Sequence, residues 1–401
     1  MSGTGFGSGS EAGSDGAGAS GGTTALRSVL LAGGGTAGHV NPLLAVAEEL
    51  RRRDPATLLT VLGTQTGLEA RLVPERGLPL ALVPRVPLPR RPSTDLLRLP
   101  ARLAGAVRAA GDAIDRTGAQ VVVGFGGYVS TPAYLAARRR GVPVVVHEAN
   151  ARPGLANRVG ARWAAAVGVT FPGTPLPGAR VVGMPLRAAV AALAERRAAD
   201  PAATGSDAAR VLGLAPDRPT VLVTGGSSGA VRLNAAVAAV AADLVAAGAQ
   251  VLHLTGAGKA DAVRAALPAD GDVAAHYHVR EYLSEMELAY AVASLVVCRS
   301  GAATVCELAA LGLPAVYVPL PIGNGEQRLN AAPLVAAGGG LLVADDDLTP
   351  AWLRAHALPL LADPARLAAM GAAAAAAGTV DGAARVADLV EQAAARTGGA
   401  R

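Results

Sequence analysis

Five times along this 401-residue chain a short apolar run ends in a glycine-rich turn and opens into an alanine-rich helical stretch. The five are SVLLAGGGTAGHVNP from Ser28, VVVGFGGYVSTP from Val121, TVLVTGGSSGA from Thr220, VLHLTGAGKAD from Val251 and SLVVCRSGAATVCE from Ser294. A strand that passes through glycine into a helix leaves unpaired backbone N–H groups facing the turn, and the helix dipole adds partial positive charge there. Such a turn suits phosphate. Two units lie early in the chain and three late, which argues for two phosphate-handling α/β halves facing one cleft.

The rest of the chain fits this division. Residues 1–25 are rich in glycine, serine and alanine without apolar periodicity, and are expected to be a disordered tail. From 26 to 187 strands such as VLLAG, TLLTVLGT, VVVGF and PVVVHE alternate with helical stretches through LLAVAEELRRR and YLAARRR. That alternation predicts a parallel sheet with helices on both faces. Residues 188–218 shift to Ala, Arg, Asp, Pro and Gly without a strand and read as a linker. A second alternating unit covers 219–365. The alanine-rich remainder, 366–401, reads as helices able to cross back onto the first unit.

Composition narrows the partners. Aromatics make up only 3%, so the core is aliphatic, and the formal net charge of +5 fits a phosphate-rich partner or an anionic membrane surface. Arginines are not interleaved with aromatics and no nucleic-acid motif is present, so nucleic acid is excluded as a partner. The two cysteines, Cys298 and Cys306, are too few for a disulfide framework and read as small buried apolar residues in a reducing compartment. No run reaches the roughly 20 uninterrupted apolar residues of a membrane span. The N-terminus lacks the charged start and apolar middle of a signal peptide, and a cytoplasmic location is expected.

Gly33-Gly34-Gly35-Thr36-Ala37-Gly38 satisfies G-x-G-x-x-G by letter, but the second strand ends Gly63-Thr64-Gln65, without the carboxylate a dinucleotide site uses to hold ribose. His39, at the mouth of this loop, is placed for proton transfer. The polar cluster His147-Glu148-Ala149-Asn150 follows an apolar strand, at the end of a sheet that faces ligand in open α/β folds. Gly226-Ser227-Ser228-Gly229 offers backbone donors and two hydroxyls to a diphosphate. In Cys298–Glu307 a helix N-terminus suits phosphate, and Glu307 reads either as an acceptor for two vicinal ribose hydroxyls or as a first-turn capping carboxylate. Gly325-Glu326-Gln327-Arg328 is a further polar patch after a strand. Asp345-Asp346-Asp347 has the look of a metal-binding DxD but reads as a solvated acidic turn before Pro350. Gly258-Lys259 lacks the spacing of a P-loop. Between Pro74 and Val107, leucine and valine alternate with Arg85, Arg90, Arg91, Arg98 and Arg102, which fits either peripheral attachment to anionic lipid or a surface loop over a core helix.

Together GGGTAGHVNP, GFGGYVS, PVVVHEAN, GMPLR, TGGSSGA, CRSGAATVCELAALGLPAVYVP and GEQRLNA resemble the MurG family within glycosyltransferase family 28. These are the UDP-N-acetylglucosamine:undecaprenyl-pyrophosphoryl-MurNAc-pentapeptide N-acetylglucosaminyltransferases of bacterial cell-wall synthesis. The resemblance covers nearly the whole chain after the tail, with the motifs in family order. It implies a GT-B fold: two Rossmann-like domains whose parallel sheets face a central cleft, the second binding the UDP-N-acetylglucosamine (UDP-GlcNAc) donor and the first the undecaprenyl-pyrophosphoryl-MurNAc-pentapeptide acceptor. It implies a hexosyltransferase without cofactor or metal, peripheral on the cytoplasmic face of the cell membrane and serving cell shape and division.

Carried over motif by motif, Thr36, Ala37 and Gly38 line the first glycine loop and His39 is the candidate general base. Asn150 lies near the sugar, and Arg187 and Ser227 contact the donor nucleotide. Leu283 holds uracil through its backbone, and Ala302, Ala303, Thr304, Val305 and Cys306 wrap the phosphates. Glu307 binds the ribose hydroxyls, and Gln327 those of GlcNAc. Ala37, Ala149 and Glu326 stand where the family usually has glycine, glutamine and glutamine. The reaction implied is inverting transfer to the C4 hydroxyl of MurNAc, with the leaving diphosphate stabilised by loop amides, a helix dipole and Arg187.

Overall fold

Strands such as Val121–Gly124 and Thr220–Thr224 are buried along their whole length, a pattern stable where helices cover both faces of a sheet. The computed structural model, which describes residues 26–86, 95–226 and 229–398, builds two such sheets. The first contains β1 (Ser28–Ala32), β2 (Leu58–Gly63), β3 (Leu80–Leu82), β4 (Val121–Gly124), β5 (Val144–Glu148), β6 (Ala166–Val169) and β7 (Ala179–Val181), in the order β3-β2-β1-β4-β5-β6-β7. The second contains β8 (Thr220–Thr224), β9 (Gln250–Leu254), β10 (Tyr277–Arg280), β11 (Ala293–Cys298), β12 (Ala315–Tyr317) and β13 (Gly340–Leu342), in the order β10-β9-β8-β11-β12-β13. Every pairing is parallel.

In both sheets the chain order reverses beside the first strand, between β1 and β4 and between β8 and β11. Crossovers leave such a point in opposite directions and open a crevice outside the strand C-termini. Glycine turns follow β1, β4, β8 and β11, so four of the five stand at the two crevices, and the fifth follows β9 beside them. Alternation along each strand fills both faces. Val29 and Leu31 join one core and Leu30 and Ala32 the opposite one, while Val221 and Val223 separate likewise from Leu222. The helix Ala37–Arg53 lays Val40, Leu43, Leu44, Ala47 and Leu50 on the first sheet at helical spacing.

One segment differs from the sequence reading. Residues 188–218, expected as a linker, hold the helices Ala188–Ala199 and Pro201–Leu212. Asp200 ends one and caps the other, accepting from Ala203 N, and Pro201 sits at the first helical position. Their Val190, Leu193, Ala208 and Leu212 share a core with Ala289, Tyr290 and Leu308, so these helices belong to the second unit's interior. The 1–25 tail lies outside the described residues.

Residues 364–396 have the length and composition of a membrane-crossing helix. The chain nevertheless breaks between the helices Pro364–Ala377 and Gly382–Gly398. The second of these returns to the first sheet, where Val386, Ala387, Leu389, Val390 and Ala393 join the core of Val29, Leu31, Val121 and Val145. Arg53 holds it there through Asp388 at 2.7 Å, Glu391 at 3.0 Å and the Ala384 carbonyl at 2.9 Å.

Two buried histidines give this fold a pH signature. The His147 Nε2 lies 3.1 Å from the Gly183 carbonyl, and His253 sits between the Tyr277 hydroxyl at 2.8 Å and Asn234 Oδ1 at 3.1 Å. Burial pushes both down to about 4 from the ordinary 6.5. The unfolded chain therefore takes up protons that the folded one refuses, and stability is lost as pH falls from 6.5 toward 4. The unfolding free energy should drop by about 1.4 kcal/mol per pH unit for each histidine in that window. Urea titrations of the wild type and His147→Gln should show the slope lowered by about 1.4 kcal/mol per pH unit in the variant; equal slopes would refute it.

Candidate active site

The first glycine turn leads from β1 into the helix Ala37–Arg53, whose N-cap residue, Thr36, makes no side-chain cap. The first amides of this helix are therefore free to meet a ligand. Positive φ falls at Gly35, +89°, and Ala37 is already helical, so alanine fits there without strain. The half-buried His39 projects from the first turn of this helix. Its Nδ1 lies 3.2 Å from both the Gly34 carbonyl and Thr36 Oγ1. Burial lowers the His39 pKa, opposed in part by Glu148, the Gly34 carbonyl and Glu69. The ring is neutral at pH 7 and able to accept a proton.

At the end of β5 the polar cluster divides. His147 is a core residue beside Phe125, with ring centroids 5.8 Å apart, and it does not reach the cleft. Glu148 does, and its buried carboxylate accepts from Asn150 N at 2.9 Å, Gly154 N at 3.0 Å and Asn157 Nδ2 at 3.0 Å. Asn150 and Ala151 reach across the cleft: Asn330, on the helix Glu326–Ala336, donates to Asn150 Oδ1 at 3.2 Å and accepts from Ala151 N at 2.9 Å.

The second unit supplies the facing wall. Its first glycine turn holds Gly226 at φ +78° and Gly229 at φ +66°; Ser227 lies outside the described residues. The helix Ala302–Ala310 begins without a side-chain cap, and Ala302, Ala303 and Thr304 line the cavity. Val305 and Cys306 do not. Val305 already donates its amide to the Gly301 carbonyl at 3.0 Å, and both side chains pack into the core. Glu307 lies past the first turn and is buried, which rules out the capping role. It accepts from Arg187 Nε at 2.9 Å and from the Tyr290 hydroxyl at 2.8 Å. Burial works to lower the Arg187 pKa, but Glu307 more than offsets this and raises it. Leu283 and Gln327 also line the cavity, with Gln327 Oε1 accepting from Leu320 N at 3.0 Å.

The acidic run is only partly solvated. Asp345 is buried and pairs with Arg299 at 2.6 Å and Arg232 at 3.3 Å, while Asp346 meets Arg232 at 2.9 Å. Arginines thus occupy the carboxylates that a cation would need. Among the described residues no group of three or more His, Cys, Asp or Glu side chains is gathered for a metal ion.

These walls enclose a cavity of about 970 Å³ reached by Thr36–His39, Asn150, Arg187, Leu283, Ala302–Thr304, Glu307 and Gln327. Sequence reasoning missed Tyr290, which carries no local signal, and did not single out Glu148 within its cluster. Two doubly wound sheets whose glycine turns meet over one cavity make up the GT-B fold. The family 28 N-terminal domain matches residues 29–169 and the family 28 C-terminal domain residues 220–386. The chain belongs to glycosyltransferase family 28.

Its sequence is 58% identical over 365 residues to the UDP-N-acetylglucosamine--N-acetylmuramyl-(pentapeptide) pyrophosphoryl-undecaprenol N-acetylglucosamine transferase of Clavibacter michiganensis, covering 91% of this chain and 96% of that one. It is 55% identical to the protein so named in Streptomyces coelicolor, over 86% and 93% of the two chains. Among solved structures, MurG of Acinetobacter baumannii superposes with a TM-score of 0.72 at 28% identity, covering 91% of this chain and 99% of that one. The calicheamicin glycosyltransferase CalG4 shares the fold, with a TM-score of 0.63 at 21% identity over 93% of this chain and 99% of that one.

The Arg187–Glu307–Tyr290 cluster makes a stability test. Glu307→Ala strands a largely buried guanidinium, which should cost about 2–4 kcal/mol in urea unfolding. Arg187→Met in the same chain should recover part of that loss, and no recovery would show that the pair is not coupled.

Proposed function

We propose that this chain transfers N-acetylglucosamine from UDP-GlcNAc to the C4 hydroxyl of MurNAc in undecaprenyl-pyrophosphoryl-MurNAc-pentapeptide, with inversion at the anomeric carbon. The observation that carries the reading is the pair of uncapped helix N-termini meeting at one cavity, in a chain that is 58% identical to a transferase of that name over nine-tenths of its length.

The donor is assigned to the second unit. Amides of Ala302–Thr304 and the Gly225–Gly229 turn, with Ser227, meet the diphosphate. The Leu283 backbone meets uracil, Glu307 the two ribose hydroxyls, and Arg187 swings from Glu307 toward the departing phosphate. Gln327, whose Oε1 is engaged by Leu320 N, offers its Nε2 amide to a GlcNAc hydroxyl. Thr36–Gly38 face the acceptor, and Asn150 sits near the transferred sugar. The acceptor oxygen bonds to the anomeric carbon as the bond to the diphosphate breaks, and the hydroxyl proton passes to His39. Charge growing on the leaving group is met by fixed dipoles that need no reorganisation.

Radiolabelled UDP-GlcNAc and a soluble analogue of the acceptor should give a β1,4-linked disaccharide product, with undiminished rate in EDTA. Transfer to non-lipid natural-product acceptors instead would overturn the assignment. His39→Ala should lower kcat by about 10²–10⁴-fold. Because the neutral ring is the active form and its pKa is depressed, the acidic limb of kcat/KM should fall below pH 6.5. A wild-type limb above 6.5 would exclude His39 as the base.

We further infer peripheral attachment to an anionic membrane on its cytoplasmic face. Supporting it are Arg85, stacked 5.4 Å from the Tyr128 ring centroid at the cleft rim, and exposed Leu82 and Leu155 on the same unit. Arg90 and Arg91 fall outside the described residues. Changing Arg85, Arg90 and Arg91 to serine should weaken binding to cardiolipin vesicles by about 1 kcal/mol each, with the difference vanishing at high salt. Unchanged co-sedimentation would place the contact elsewhere.

A further inference from the structure

The first glycine turn rests on a carboxylate to which the transfer chemistry assigns no task. Glu69 opens the short helix Glu69–Glu75 and is wholly buried. Its Oε1 accepts from Thr64 N at 2.9 Å and Thr64 Oγ1 at 2.7 Å, and its Oε2 accepts from Gly35 N at 2.8 Å. Burial works to raise its pKa, but these donors outweigh it and keep the group ionised. Gly34, Gly63 and Gly67 close around it so tightly that a Cβ on any of them would collide with the Glu69 side chain. A buried charge is costly unless fully hydrogen-bonded. The chain has built a complete socket for this one.

The partners of Glu69 explain where the charge acts. Gly35 N and the Gly34 carbonyl belong to one peptide unit. The N–H of that unit donates to Glu69, and its carbonyl lies 3.2 Å from His39 Nδ1. A carbonyl has no proton to give, so a hydrogen bond to it requires Nδ1 to carry the hydrogen, which leaves Nε2 with the lone pair. Gly35, at φ +89°, sets the turn of this peptide, and a Cβ at Gly127 would strike the Gly34 carbonyl, so the plane is hemmed from both sides.

We infer that Glu69 is a positioning residue for His39, acting through the single peptide unit between Gly34 and Gly35. This rests on the reading of His39 as the base. As the acceptor hydroxyl gives its proton to Nε2, the ring becomes an imidazolium whose Nδ1–H donates to the Gly34 carbonyl. The Glu69 charge polarises that peptide and makes the carbonyl a stronger acceptor as the positive charge appears. Glu69 exchanges no proton itself. Thr36 Oγ1 shares Nδ1 but holds no charge, and among the described residues the other carboxylate acting on the ring is Glu148, from the end of β5.

Glu69→Gln tests this. kcat should fall about 10–100-fold, less than in His39→Ala, while KM for UDP-GlcNAc and UDP affinity stay within about twofold. The acidic limb of the pH profile should move to lower pH, because a negative charge that favours the imidazolium is gone while Glu148 remains. Nitrogen-15 NMR of His39 should show a pure Nδ1–H tautomer in the wild type and a mixture in the variant. In a His39→Ala background, Glu69→Gln should have no further effect. An unaltered tautomer and unaltered kcat would overturn the proposal. Full activity in His39→Ala, with the tautomer still changed by Glu69→Gln, would refute His39 as the base and leave the positioning intact. Should Glu69→Gln fail to bind UDP, Thr64→Val removes one donor to the carboxylate. It should lower kcat a few-fold and perturb the same tautomer, and no change in either overturns the idea.

Discussion

The chemistry of this cleft depends on backbone N–H groups that a helix cannot satisfy from within. Each glycine turn delivers a helix N-terminus to a strand end, and neither Ala37–Arg53 nor Ala302–Ala310 covers its first amides with a capping side chain. In an ordinary helix such a cap is worth about 1 kcal/mol. Its absence at the two positions facing the cavity leaves donors for a ligand of opposite charge. The doubly wound sheets exist, in functional terms, to bring those two ends together.

Much of this was legible in the chain. The strand–glycine–helix units predicted both sheets, because a parallel sheet buried on both faces has to be written as unbroken apolar runs. The helix positions of Thr36–His39 and Ala302–Thr304 followed from the same pattern. What escaped was whatever depends on contacts distant in sequence. Residues 188–218 shift to Ala, Arg, Asp, Pro and Gly without a strand and read as linker, yet Val190, Leu193 and Leu212 are buried against helices a hundred residues on. Asp345 looked solvated because its partners, Arg232 and Arg299, are supplied by the helix Val231–Ala238 and the turn after β11. His147 shared a polar motif with Glu148, but successive strand residues point to opposite faces, and only one could reach the cleft.

The glycine pattern also conceals a second use of the residue. Gly34, Gly63 and Gly67 show no positive φ; they are glycine because the Glu69 side chain fills the space a methyl would need. A reading of G-x-G-x-x-G as a phosphate cradle accounts for the free amides but not for this socket behind them. The same turn therefore has a ligand face and a carboxylate face, joined by one peptide.

The C-terminal helix Gly382–Gly398 has a consequence for the order in which the protein can be made. Its Val386, Leu389 and Val390 fill the core between β1, β4 and β5, and Arg53 grips it from the helix Ala37–Arg53. During synthesis from the N-terminus, the first sheet emerges long before the residues that seal one of its faces. Beside the helix Ala37–Arg53, that face stays open while the entire second unit is translated. The first sheet is thus completed only after the second, and a chain that stops short of Gly382 damages the part that was made at the outset.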